Sequence, residues 1–139
     1  WLKADVGLEK AAGVPAADGD AITTWLDQAT GLDYGAVAGP TMQSSTLNFN
    51  PSVEILSGGF NAPVGAELSN NWTLFFVSKK LPTDIDGRLF DGHTGNYLWV
   101  YHDIHWRGLY INGNPSEYNS GIATTVGTTD LHMVSFTRD

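Results

Sequence analysis

Hydrophobic positions along this chain come in short runs, many of them alternating with polar ones, and the runs are cut every few residues by Gly, Pro, Asn or Asp. Trp1 to Val6 reads as a short strand, and the Ala-, Gly- and Asp-rich stretch Gly7 to Asp20 as a loop. Ile22 to Asp27 alternates, with Ile22, Thr24 and Leu26 on one side and Thr23, Trp25 and Asp27 on the other, and predicts a strand; Gly19 and Asp20 could equally open a helical turn. Thr30 to Met42 is turn-rich. Leu47, Phe49 and Val53 to Leu56 bracket Pro51, whose missing N–H assigns it to an edge, bulge or turn, and Gly58-Gly59 ends that stretch.

Trp72 to Ser78 is the strongest strand, apolar on both faces for most of its length, which predicts a central strand covered on both sides. Arg88 to Phe90, Tyr97 to Tyr101, Arg107 to Ile111 and Leu131 to Phe136 follow, with Gly- and Asn-bearing turns between them. They predict a β-meander with sequential antiparallel pairing. No repeat or linker interrupts the chain, so residues 1–139 read as a single module.

Composition agrees with an all-β fold: 16 Gly and 6 Pro suit tight turns, and 42% hydrophobic with 16% charged residues is globular. A net charge of −8 disfavours nucleic acid, whose phosphates need clustered Lys and Arg. The lack of Cys excludes disulfides, thiolate zinc sites and a thiol nucleophile. No apolar run of ~18 residues predicts membrane insertion. Trp1 as first residue implies a processed or excerpted chain.

Four segments in order carry a resemblance: Trp1-Leu2-Lys3-Ala4-Asp5-x-Gly7, Trp25-x-Asp27-Gln28, Leu47-Asn48-Phe49-Asn50-Pro51-Ser52-Val53, and Trp72-Thr73-Leu74-Phe75-x-Val77. Together with Arg88 to Gly92 and His132 to Asp139, they resemble the concanavalin A-like (laminin-G-like) modules of large secreted bacterial adhesins and polymer-binding proteins. The resemblance implies an antiparallel jelly-roll sandwich and export to the bacterial cell surface, for instance by the type IX route. Such modules usually run to roughly 200 residues, so it also implies further strands beyond Asp139, as part of a larger polypeptide.

The richest stretch for chemistry is Gly92 to Tyr110. Alternation puts Tyr97, Trp99 and Tyr101 on one face and Leu98, Val100 and His102 on the other. Aromatic rings with polar tips suit sugars, whose C–H faces pack on the ring while hydroxyls bond beside it. Trp99, Tyr101, Trp106 and Tyr110 are therefore the candidate stacking residues, with His102, Asp103 and Asn112 as polar partners. The competing reading is that these rings fill or cover the core.

Asp84, Asp86 and Asp91 around a Gly-bearing turn are candidate calcium ligands, because hard cations take several oxygens; Asp-rich turns also bond locally, and no EF-hand loop is present. Glycoside hydrolysis needs two carboxyls ~5–10 Å apart, yet Glu9, Glu54, Glu67 and Glu117 are scattered and no E-x-D-x-x-E pattern occurs. His102-x-x-His105 would face one way only on a helix, and no G-x-S-x-G elbow exists. The expectation is an extracellular carbohydrate-binding or adhesion module, its partner a glycan or cell-surface polysaccharide. The alternatives are a structural spacer of a surface protein and a glycan-cleaving enzyme of the same fold.

Overall fold

The computed structural model describes residues 1–66, 72–79, 96–102, 105–112, 115–123 and 131–138. These form twelve strands and no helix, and every strand pairing is antiparallel. The chain divides into two compact units, Trp1–Leu68 and Ser69–Asp139.

In the first unit the chain opens with a turn, not the strand expected over Trp1 to Val6. Val6 N–H donates to the Lys3 carbonyl at 3.3 Å, and only an isolated bridge joins the two residues. The expected loop over Gly7 to Asp20 instead holds a hairpin of β1 (Leu8–Ala11) and β2 (Val14–Pro15). The sequence pattern hid it, since Leu8 is the one large apolar side chain of β1 and the charged Glu9 and Lys10 follow it. The Glu9 carboxylate closes the turn by accepting from Gly13 N–H at 3.0 Å.

Strand β3 (Thr24–Leu26) lies inside the strand expected over Ile22 to Asp27, and it pairs with β1. Strand β4 (Asp33–Val37) lies inside the stretch read as turns: Tyr34 and Ala36 are half-buried while Asp33, Gly35 and Val37 are exposed. Gly35 and Ala36 are too small to register in a hydrophobic pattern. After β5 (Thr41–Leu47) and β6 (Asn50–Glu54), strand β7 (Gly59–Asn61) completes a five-stranded sheet in the order β2-β1-β3-β4-β7. The turn into β7 needs glycine at position 58, where φ is +79° and a Cβ would collide with the Val37 and Ala38 carbonyl oxygens.

Leu8 and Ile22 are buried and Pro40 is fully enclosed. Burying each aliphatic side chain stabilises by about 1.5–3 kcal/mol. Trp25 and Phe60 add a tilted ring pair with centroids 5.3 Å apart.

Strands β5 and β6 form their own hairpin. The segment from Ala17 to Ile22 lies along it: Gly19 N–H donates to the Met42 carbonyl at 2.8 Å, Met42 N–H to the Asp20 carbonyl at 3.0 Å, and Ile22 N–H to the Pro40 carbonyl at 2.9 Å. Leu47 pairs with Asn50, which leaves Asn48 and Phe49 as a two-residue loop. Both have positive φ, +49° and +65°, as a type I′ turn requires. Asn tolerates that conformation, whereas a bulky aromatic residue there costs on the order of 1–3 kcal/mol. The register shifts between Gln43 and Leu47, opposite Pro51, so the bulge accommodates the residue that has no N–H to give.

In the second unit, β8 (Trp72–Lys79) pairs along its length with β12 (Leu131–Arg138). Strands β9 (Asn96–His102), β10 (His105–Asn112) and β11 (Pro115–Ala123) form a three-stranded meander. Two expectations are corrected here. Sequential pairing stops at β11, because β12 returns to β8. Strand β8 is also not covered on both sides: Trp72, Leu74, Phe76 and Ser78 are half-buried, while Phe75 and Val77 are 66% and 60% exposed, beside Met133 at 78%. A run of apolar residues is ambiguous between a doubly covered strand and one whose outer face is merely apolar.

Candidate functional site

The aromatic residues singled out in the sequence fall on β9 and β10, whose register sorts them. Tyr97 pairs with Ile111, Trp99 with Leu109 and Tyr101 with Arg107, while Leu98 pairs with Tyr110 and His102 with Trp106. Directly opposed residues share a face and alternate residues keep to it. One face therefore carries the row Tyr97, Trp99 and Tyr101 with Arg107, Leu109 and Ile111. The other carries His102, Trp106, Tyr110 and Asn112 with Leu98 and Val100. Pairing with β11 extends the first face to Glu117 and Asn119, opposite Leu109 and Arg107. The register thus brings Trp99 and Tyr101 together and separates them from Trp106, Tyr110, His102 and Asn112. Asp103 lies outside the described residues, as do the calcium candidates Asp84, Asp86 and Asp91. Among the described residues no group of three or more His, Asp or Glu side chains is arranged to hold a metal ion. Among the described residues no helix is long and apolar enough to cross a membrane.

Two scattered carboxylates have local partners: Glu9 closes the β1–β2 turn, and Glu54 accepts from the Gln43 amide at 3.2 Å.

A second feature, which the sequence did not single out, is an open cavity of about 230 Å³ in the first unit. Lys3, Ala4, Asp5, Asn50 and Pro51 line it. The opening turn forms one wall and the start of β6 the other. The Lys3 ammonium and Asp5 carboxylate are 3.2 Å apart, so the cavity has a cation and an anion at its edge and no net charge. The turn is fixed from behind. The Trp25 indole N–H donates to the Lys3 carbonyl at 2.9 Å, Gln28 N–H to the Trp1 carbonyl at 2.9 Å, and Leu26 N–H to the Gly7 carbonyl at 2.9 Å.

Asp27 caps the turn that follows β3, its Oδ1 accepting from Ala29 N–H at 2.7 Å and from Thr30 N–H at 3.1 Å. The pKa values of Asp18 and Asp20 are lowered, Asp18 chiefly by Ser44 N–H at 2.7 Å and Asp20 by Ala17 N–H at 2.9 Å and then Lys10. Burial raises the Tyr34 pKa, helped by the charge of Asp27.

Three of the four segments that carry the family resemblance meet here, since Trp1 to Gly7 bonds to Trp25 to Gln28 and shares the cavity with Asn50 and Pro51. The available signal was the pair Asn48-Phe49, set as a two-residue turn between alternating strands. Phe49 hides that signal, because turns of this type favour Asn-Gly.

Compared with protein-family models, curated proteins and solved structures, the chain gave no match.

Proposed function

We propose that this chain is an extracellular carbohydrate-binding or adhesion module of a bacterial surface protein, built on a concanavalin A-like jelly roll. The observation that carries the reading is the β9–β10–β11 register, by which Tyr97, Trp99 and Tyr101 share a face with Arg107 and Glu117. Rings beside charged and polar residues on one strand face are the combination that suits a sugar. Alternate residues on a strand are ~7 Å apart, a spacing that lets successive rings meet successive parts of an extended chain of sugars. Arg107, opposite Tyr101, supplies donors for hydroxyls. A net charge of −8 favours neutral polysaccharides over anionic ones.

The test is retention on a panel of immobilised neutral polysaccharides, comparing the wild-type chain with Trp99→Ala and Trp106→Ala. Weakened retention in folded Trp99→Ala, with Trp106→Ala retained as well as wild type, supports the reading. A wild-type chain that binds none of the panel overturns it. Equal loss in both variants removes the assignment of the ligand to the Tyr97, Trp99 and Tyr101 face.

A further inference from the structure

The tip of the β5–β6 hairpin and the cavity beside it have no part in the aromatic row of the second unit. Phe49 is 93% exposed at this tip, held at φ +65° where glycine would be free of strain. Folding does not explain an aromatic ring here, since it is exposed and its backbone conformation is unfavourable. Asparagines flank it on both sides. The Asn50 amide nitrogen donates to the Asn48 carbonyl at 3.1 Å, which leaves the Asn50 amide oxygen for other donors. Asn50 and Pro51 continue directly into the cavity that Lys3 and Asp5 edge.

We propose that Phe49 and this cavity form a second saccharide subsite, one that takes a single neutral sugar ring. Phe49 supplies the stacking face. The Asp5 carboxylate and the Asn50 amide oxygen accept from hydroxyls, and Lys3 donates to them. At about 230 Å³ the cavity is smaller than the ~300–1,000 Å³ of sites for drug-sized ligands, and it suits one ring of a longer glycan. The equal and opposite charges of Lys3 and Asp5 select against an ionic ligand of either sign. Their exposure, with the polar flanks of Phe49, also distinguishes the site from the continuous apolar surface that would bind a lipid or a hydrophobic peptide.

This inference rests on the carbohydrate reading but uses residues of the other unit, so the two can fail separately. The experiment is an amide NMR titration of the full chain with maltotetraose, cellotetraose and mannotetraose, repeated on Phe49→Gly and Trp99→Ala. Shifts at Lys3 to Asp5 and Asn48 to Asn50 are expected with at least one of the three. Phe49→Gly creates an Asn-Gly turn, so its melting temperature should equal or exceed that of wild type, while affinity at this site drops roughly tenfold. Trp99→Ala should leave the shifts at Asn48 to Asn50 in place. Shifts confined to β9, β10 and β11 would overturn the second subsite and leave the first reading standing. Unchanged affinity in Phe49→Gly would also overturn it, and an absence of shifts with all three sugars would overturn both.

Discussion

The indole nitrogen of Trp25 lies 2.9 Å from the carbonyl oxygen of Lys3, and through that bond the middle of the five-stranded sheet holds the opening turn. The same ring pairs with that of Phe60 on β7, centroids 5.3 Å apart and tilted at 60°. Trp25→Phe keeps the ring and loses the donor, so it should cost about 0.5–1.5 kcal/mol. Trp25→Ala also loses the ring pair and should cost more, about 2–3 kcal/mol, less than the ~3–5 kcal/mol of a fully buried tryptophan. Urea unfolding of both variants measures the two contributions.

Acid should loosen the contact between the Ala17 to Ile22 segment and the β5–β6 hairpin. Ser44 N–H holds the Asp18 carboxyl below the usual aspartate range, and Ala17 N–H and then Lys10 do the same for Asp20. Carboxylates lowered in the folded chain contribute fully above the ~3.9 of an unperturbed aspartate, and the contribution is lost as the pH falls below it. Thermal midpoints should decline below pH ~4, and Asp18→Asn should show a shallower decline.

Gly58 is irreplaceable on two counts, its positive φ and the carbonyl oxygens of Val37 and Ala38. Gly58→Ala should destabilise the first unit by at least about 1–3 kcal/mol, the usual cost of a strained backbone. Gly13→Ala is the control: it has a positive φ of +70° but open space around the missing Cβ, so its loss should be smaller. Denaturant midpoints of the two variants compare the costs.

On β8, the Ser78 hydroxyl is buried and has no hydrogen-bond partner among the described residues. A buried unpaired hydroxyl costs about 1–3 kcal/mol. Ser78→Ala should accordingly raise stability by about 1 kcal/mol, read as a higher unfolding midpoint with an unchanged denaturant slope.

Much of the strand content was legible because side chains on a strand repeat with period two. That period is visible at Ile22 to Asp27, and Tyr97 to Tyr101 displays it in aromatic residues alone. Where a strand is very short or mixes charged and small residues, as in β1, β2 and β4, the same period carries little hydrophobic contrast, and only the backbone hydrogen bonds reveal the strands. The donor that Pro51 lacks assigned it to an edge, bulge or turn, and the register shows which: it lies opposite the bulge between Gln43 and Leu47.

What the amino-acid sequence determined by itself was local: the all-β character, the turns, and the alternation that gathers Tyr97, Trp99 and Tyr101 on one face. Pairing is not local. Only the tertiary structure decided that β12 returns to β8, that Trp106 pairs with His102 and so falls on the face away from Trp99, and that Lys3 and Asp5 meet Asn50 and Pro51 around a cavity. The physical reason is that each of these depends on register between segments far apart in the chain, and a shift of one residue would have moved every side chain to the opposite face.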